Sequence, residues 1–304
     1  MRKYILISIS AMFLVCSCSK MNKEQGRSYT FSISGALEEM PAGGQDTKVS
    51  LAHTMQMSWT KGDAVSVVNL TKGMALGGSL TADKAQTVST FSGTVTGTID
   101  NGDILALIYP NLGYTTEQPF TDATVDFTSQ DGTDKNAKFC AVATLTAETS
   151  ENNFVEAEAH FFMKSGMINI TLADLPESTV INQVSIPGLY STINLSIKDT
   201  RDDIVFSGTS GTITMTPNST TSIHGTKALY FGLGGADKAS ARRTVSVICG
   251  EDLYESTMTD AAIGAKFYTL SIGAFEKKTL YSGIGFNYDD SEMKEGETVT
   301  IGED

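Results

Sequence analysis

The chain has 304 residues, 28 of them glycine and 6 proline, and carries a formal net charge of −13 at pH 7. This acidic balance argues against nucleic-acid binding, because neutralising phosphates requires clustered lysines and arginines. It argues equally against a basic patch on anionic lipid. A chain of this length accommodates two domains of ordinary size, each able to bury a core.

The N-terminal stretch predicts export and lipidation. Arg2 and Lys3 precede an apolar run from Tyr4 to Val15, which suits a signal peptide and is too short to span a bilayer. The run ends in Val15-Cys16-Ser17-Cys18, which is the pattern of a lipobox. We therefore expect residues 1–17 to be a lipoprotein signal peptide and Cys18 to be diacylated. An ordinary secretory signal cut nearby is the alternative.

A polar segment then leads to the first predicted strand, Ser28–Leu37. Tyr29, Phe31 and Ile33 alternate with polar residues in it, which is typical of a half-buried strand. The next residues, up to Lys48, contain a proline and two glycines and predict an exposed loop that is open to proteases. Residues 18–48 are thus interpreted as a lipidated tether, a first strand and a processing loop.

Two segments in the first half carry strong strand signals. Met57–Asn69 has the pattern of a strand, a Lys-Gly-Asp turn and a second strand. Trp59, the only tryptophan, is expected to anchor the core at a strand end. Ile104–Tyr109 is a continuous apolar run, which predicts burial on both faces.

From residue 161 onward a second series of short predicted strands follows. Turn signals separate short predicted strands, among them Val184–Ile186, Ile193–Ile197, Thr212–Thr216, Ala228–Leu233, Thr244–Cys249 and Phe267–Ile272. Pro187-Gly188 and Ser207–Gly211 are expected as turns, and Thr257–Ala265 is the one helix candidate. This spacing predicts an all-β protein, with sandwich domains over residues 49–160 and 161–276.

The tail, residues 277–304, is surplus to a domain that closes at Ile272. It carries spaced apolar side chains and an acidic stretch between them. An extra strand of this kind needs a groove to fill, either on its own domain or on a neighbouring molecule. The groove-filling candidates are Leu280, Ile284, Phe286, Val299 and Ile301.

The sequence offers no constellation typical of an enzyme. The three histidines lie far apart without metal-ligand spacing, and no common catalytic motif occurs. Loop oxygens near Asp131 and Asp289 fall short of a calcium loop. We therefore expect no catalytic residues, no cofactor and no metal. Cys140 and Cys249 are expected as small buried hydrophobes, with a disulfide between them as the alternative.

Several short motifs, taken in order, resemble the fimbrillin family, the subunits of type V pili of Bacteroidales. The resemblance spans nearly the whole chain, and the order and spacing of the motifs carry it. After the lipobox the motifs are Trp59-Thr-Lys-Gly62-Asp63, Ile108-Tyr109-Pro110, Gln130-Asp-Gly132, the strand Met167–Leu172, and Tyr268-Thr-Leu270-Ser-Ile272 before the tail.

The resemblance implies two transthyretin-like β-sandwich domains in tandem and a subunit that reaches the outer membrane as a lipoprotein. In the family a trypsin-like, usually Arg-specific, protease cuts after the first strand. That strand leaves, and the C-terminal strand of another subunit fills the groove. Residues 277–304 would here be the donor strand.

Carried onto this chain, Ser28–Leu37 would be the removable strand, with Tyr29, Phe31 and Ile33 as its buried residues. Lys48 stands where the family has an arginine. Arg27 is the alternative site, but it precedes the strand, so cutting there would free the lipid without opening the groove. A shaft subunit, a lipid-retaining anchor and a tip subunit are all compatible with this pattern. A monomeric surface lipoprotein that binds glycans is the alternative from another class.

Overall fold

The computed structural model describes residues 26–39, 56–133, 136–150, 152–176, 180–198, 200–217, 228–234, 242–259 and 265–278. Within these ranges the chain forms strands and no helix, so the all-β prediction is confirmed. None of the described residues belongs to a helix with the length and apolar character needed to cross a bilayer.

The described ranges contain twenty strands. The first twelve are β1 (Arg27–Leu37), β2 (Ala64–Asn69), β3 (Met74–Ala75), β4 (Gly77–Gly78), β5 (Leu80–Ala82), β6 (Val88–Gly97), β7 (Ile104–Tyr109), β8 (Gln118–Pro119), β9 (Asp122–Asp126), β10 (Ser129–Gln130), β11 (Ala141–Thr146) and β12 (Phe154–Met163). The others are β13 (Ser165–Leu172), β14 (Gln183–Ile197), β15 (Ile204–Met215), β16 (Ala228–Gly234), β17 (Arg242–Cys249), β18 (Asp252–Thr259), β19 (Phe267–Ile272) and β20 (Glu276–Lys278).

The first sheet has ten strands and closes into a ring. Hydrogen-bonded neighbours run from β1 through β12, β11, β7, β2, β5 and β6 back to β1. Side chains from around this ring form one hydrophobic cluster, which includes Tyr29, Trp59, Phe91 and Phe161. A closed ring leaves no long edge open, so its strands are protected from pairing with other chains.

The second half is a sandwich of two sheets. One sheet has the order β10-β15-β14-β17-β18-β20 with β9 also on β14, and the other has the order β16-β13-β19. Inward residues of both sheets, such as Ile168 and Ile170 from β13 and Val245 and Val247 from β17, form a second hydrophobic cluster. The contact between the two inner faces is what makes this half a sandwich.

Strand β7 connects the two clusters. Leu105 and Leu107 belong to the cluster of the ring, whereas Ala106 and Ile108 belong to the cluster of the sandwich. The predicted burial of this apolar run on both faces is therefore confirmed. The predicted division near residue 160 stays a prediction: β9 and β10 precede it but pair with β14 and β15.

Two predicted turns are wrong, and the helix candidate is wrong over residues 257–259. Pro187-Gly188 lies inside β14, where a β-bulge with Gly188 at φ +74° lets the strand continue past the proline. Arg243 donates hydrogen bonds to the Gly188 carbonyl. Ser207–Gly211 lies inside β15 and pairs with β14. Residues 257–259 continue β18 and pair with β17, while residues 260–264 lie outside the described ranges.

Candidate strand-exchange groove

Strand β1 closes the ring of the first sheet. Residues 30–37 pair in parallel with residues 154–161 of β12, and residues 27–36 pair antiparallel with β6, from Gly97 to Val88. Among the described residues β6 and β12 do not pair with each other. Withdrawing β1 would therefore leave two unpaired strand edges on either side of a groove.

One face of β1 fills this groove. Its large inward side chains are almost completely buried, and in chain order they are Tyr29 (1% exposed), Phe31 (1%), Ile33 (0%) and Leu37 (5%). Thr30 and Ser34 on the opposite face are exposed. The strand and its alternation are as predicted from the sequence, whereas its removal remains a proposal.

Tyr29 fixes the N-terminal end of β1 to the ring. Its hydroxyl donates to the Ile99 carbonyl at 2.8 Å and accepts from the Ile99 amide at 3.2 Å. The backbone amide and carbonyl of the buried residue Ile99 are both hydrogen-bonded to this one side chain. These two hydrogen bonds hold the N-terminal end of β1 at a defined position relative to the backbone of Ile99.

Gly35 occupies a closed site near the other end of β1. A Cβ atom on Gly35 would lie 2.8 Å from the ring of Phe91 and 3.0 Å from the ring of Phe161, both shorter than normal contacts. The Gly35 carbonyl accepts a hydrogen bond from Nε1 of Trp59 at 3.1 Å. The groove therefore admits the backbone of β1 at this position and leaves little room for a side chain.

Trp59 forms the floor of the closed site. It is 1% exposed and meets Phe91 and Phe161 edge-on, with ring centroids 4.8 Å and 4.9 Å away. Aromatic pairs favour this T-shaped arrangement. The predicted role of Trp59 as a core anchor is confirmed, but the predicted strand around it is wrong, because residues 56–60 form no strand.

The Trp-Thr-Lys-Gly-Asp motif is a turn that holds Trp59 in place. Gly62 has φ +96°, the Asp63 carboxylate accepts from the Thr60 amide at 2.7 Å, and the Trp59 amide donates to Gln86 at 2.9 Å. Burial raises the pKa of Asp63 above its ordinary value, even though the hydrogen bonds from Thr60 and Tyr109 oppose this shift. The motif thus has a structural role beneath β1.

A second polar network supports the segment that binds Tyr29. Asn69 donates to the Thr98 carbonyl at 3.0 Å and to the Asp103 carboxylate at 2.7 Å, and Lys72 also donates to Asp103. Burial acts to raise the pKa of Asp103, but hydrogen bonds from the Asp100 amide, Lys72 and Asn69 outweigh it, so the pKa lies below its ordinary value. The charged carboxylate therefore stabilises the turn next to Ile99.

The structure places some of the predicted site residues and not others. Arg27 is the exposed first residue of β1 and pairs with Gly97. The following predicted residues lie outside the described ranges: Cys18, Lys48, Leu280, Ile284, Phe286, Val299 and Ile301. Sequence reasoning missed Gly35 and Ile99 as parts of the groove, because the first acts by lacking a side chain and the second acts through its backbone.

The C-terminal tail begins as an edge strand. Residues 276–278 form β20, which pairs antiparallel with β18, and Lys278 is opposite Leu253. Since β18 begins at Asp252, one residue from Leu253, this ladder has almost no room to continue past Lys278. The first part of the predicted tail is thus docked on its own half of the molecule.

Cys140 and Cys249 are both free and buried, so the disulfide alternative is wrong. Burial raises the pKa of the Cys140 thiol to about 12 and that of the Cys249 thiol to about 11. In the loop considered for calcium, the Asp131 carboxylate accepts hydrogen bonds from Thr133 and Asn136. The described residues contain no cluster of three or more His, Cys, Asp or Glu side chains suited to a metal ion.

Comparison with known proteins supports the fold. No family model and no curated protein matches the sequence. A Bacteroides ovatus protein provisionally assigned to cell adhesion matches with a TM-score of 0.50 at 12% identity, over 83% of this chain and 96% of that one. This likeness shows that the two chains share a fold over most of their lengths.

More distant matches are of a similar kind. A fimbrial assembly protein from Parabacteroides distasonis has a TM-score of 0.38 at 14% identity, over 81% of this chain and 91% of its own. The tip fimbrial protein Mfa3 from Porphyromonas gingivalis has a TM-score of 0.37 at 8% identity, over 83% and 98%. The matched structures are thus described as cell adhesion and fimbrial proteins.

Proposed function

We propose that this chain is a structural subunit of a surface fimbria that serves adhesion. It is exported as an outer-membrane lipoprotein, a trypsin-like protease removes β1, and other pilin subunits join it by strand exchange. Its architecture is two transthyretin-like sandwich domains in tandem. The observation that carries the proposal is the position of β1, a buried strand inserted between β6 and β12, which do not pair with each other among the described residues.

Removing β1 would cost so much burial free energy that the groove needs a replacement strand. Fully burying a large apolar side chain contributes about 1.5–3 kcal/mol, so the four large inward residues of β1 contribute roughly 6–12 kcal/mol. A whole domain is stable by only about 5–15 kcal/mol. An emptied groove would therefore bind any strand that restores this burial and the lost backbone hydrogen bonds.

The chain connectivity suits release of β1 by a cut at Lys48. The sequence between β1 and Gln56 contains Lys48, so cleavage there separates β1 from the rest of the chain. Cleavage after Arg27 would leave β1 attached and remove the lipidated leader alone. Lys48 therefore decides whether the subunit polymerises or stays tethered as an anchor.

Limited trypsin treatment of the full-length precursor tests this proposal. We expect cleavage at Lys48 and SDS-resistant polymers, and we expect neither from a Lys48→Gln variant. Lys84→Gln is the matched control, since Lys84 is exposed and lies outside both the loop that carries Lys48 and the turn that holds Trp59. Polymers that form equally well after deletion of residues 279–304 would contradict donor-strand exchange.

The described surface gives less support to a glycan-binding lipoprotein. Such a protein needs exposed aromatic rings as a platform for sugars. Among the described aromatic residues Phe162 is the most exposed, at 48%. The other described aromatic rings are buried or half-buried, and many of them line the two cores.

A further inference from the structure

We infer that residues 280–288 of a second copy of this chain fill the β1 groove, running in the opposite direction to β1. The inference rests on the proposed strand exchange and adds to it the segment, its register and its polarity. The groove has five inward sites along β1. In chain order they hold Tyr29, Phe31, Ile33, Gly35 and Leu37.

The tail presents the same series in reverse. Alternate residues of the segment 280–288, taken from its C-terminal end, are Tyr288, Phe286, Ile284, Ser282 and Leu280. Four of the five sites would receive the same side chain that β1 supplies, and the fifth would receive serine in place of glycine. Because side chains alternate along a strand, all five would lie on one face.

The closed Gly35 site selects this register. Phe91 and Phe161 leave no room there for a large side chain, and the atoms that a Cβ would meet belong to their rings. Among the alternate residues of the segment, serine is the smallest that can enter this site. It displaces the two rings at about the cost expected for alanine at the same position, and by less than leucine or isoleucine would. Moving the reversed segment by two residues would instead force Ile284 or Leu280 into this site, at the cost of overpacking.

The Gly35 site also excludes a tail strand that runs in the same direction as β1. With Ser282 seated at the Gly35 site and the tail parallel to β1, Lys278 and Glu276 would occupy the two aromatic sites. Burying unpaired charges there would be costly. The other face of the tail has Gly283 and Gly285 at alternate positions, and these would leave cavities in the groove.

The outward positions and the rest of the tail agree with this arrangement. In the reversed register the exposed side of β1 is replaced by Asn287, Gly285, Gly283 and Tyr281, none of which is charged. Val299 and Ile301 are flanked at alternate positions by Glu297 and Glu303. That part of the tail supplies two apolar side chains, which is too few for five sites.

Cysteine cross-linking between copies tests the polarity. Glu156 and His160 are exposed residues of β12 that pair with Ser32 and Ala36 of β1. In the reversed register Gly285 would lie beside Glu156, and Tyr281 would lie beside His160. Directly opposed strand residues are close enough for a disulfide.

The experiment mixes full-length chains that each carry one added cysteine, and trypsin then starts polymerisation. Cys16 is lost with the expected signal peptide, and processing at Lys48 removes Cys18 with the N-terminal fragment. Cys140 and Cys249 stay buried. Oxidised polymers are denatured and the covalent dimers are read on non-reducing gels. We expect dimers from Glu156→Cys with Gly285→Cys and from His160→Cys with Tyr281→Cys, and a loss of dimers when these partners are swapped.

The outcomes separate this inference from the proposed function. Polymers that cross-link through the swapped pairs, or through neither set of pairs, would overturn the reversed register and leave strand exchange standing. Failure of the parent chain to polymerise would overturn the proposed function, and this inference with it.

A second variant tests the closed site directly. Ser282→Leu should slow polymerisation about tenfold, because leucine meets Phe91 and Phe161. Ser282→Gly, the matched control, should polymerise at least as fast as the parent chain. Equal rates for the leucine and glycine variants would contradict the register.

Discussion

At the scale of single residues, the groove is defined by what β1 lacks as much as by what it carries. Gly35 allows its carbonyl to reach Trp59 while Phe91 and Phe161 close over the vacant side-chain position. Tyr29 anchors the other end through both backbone groups of Ile99. Two fixed points on one strand define its register more strictly than the ladder bonds alone.

Gly35→Ala tests the closed site in the precursor. The added methyl group meets the rings of Phe91 and Phe161, so we expect the free energy of unfolding to fall by about 1–3 kcal/mol. Urea denaturation of the precursor measures this change. Ser34→Ala, on the exposed face of the same strand, is the control, and an equal effect of the two substitutions would rule out the closed site. If strand exchange proceeds as proposed, the polymers should be unaffected, because β1 would have left them.

Asp103 gives the precursor a defined pH dependence. Its pKa is lower in the folded chain than in the unfolded chain, so its stabilisation is complete above the unfolded pKa of about 3.9 and is lost as the pH falls through the folded value. Asp103→Asn should destabilise the precursor at pH 7 by about 1–3 kcal/mol. The difference from the parent chain should shrink below about pH 4 in thermal melts, and a difference that is independent of pH would contradict this role.

At the scale of elements, the sequence predicted strands best where alternation or continuous apolar character was strong. β1 was predicted to within one residue at its start, and β7 and β19 were predicted with their observed bounds. The sequence predicts two strands where the structure has β14, because Pro187-Gly188 is a typical turn signal and a bulge cannot be recognised from composition. β6 carries small and polar residues between Phe91 and Val95, so its alternation was too weak to predict it.

The strand candidate of the site was predictable, but its partners were not. Alternation alone identified Tyr29, Phe31 and Ile33 as one buried face. The parallel pairing of β1 with β12 joins segments more than 100 residues apart, and local patterns do not encode such pairing. The Trp59–Gly35 hydrogen bond depends on that same long-range arrangement.

The two halves of the molecule repeat one local arrangement. β1 lies between antiparallel β6 and parallel β12, and β13 lies between antiparallel β16 and parallel β19. Each of these two strands is thus the central one of three, with one antiparallel and one parallel neighbour. The two strands differ in how the chain connects them. β1 is followed by a predicted cleavage loop, whereas β13 is joined to β12 by a single residue.

At the scale of the whole molecule, the two hydrophobic clusters meet along β7, while β1 contributes to the cluster of the ring alone. Loss of β1 therefore removes side chains from one core and leaves the core of the sandwich half complete. This separation explains how a subunit would open a groove without unfolding as a whole. The sandwich half also carries β20, from which the tail departs.

The central claim is that β1 leaves when the subunit polymerises. Trypsin cleavage after Arg27 and Lys48 would yield the peptide 28–48, which contains no internal lysine or arginine. Mass spectrometry of washed, SDS-resistant polymers and of the soluble fraction measures where this peptide is found. We predict that it is released into solution in step with polymer growth and is absent from the polymers. Polymers that retain the peptide in equal amount to the subunit would contradict the account.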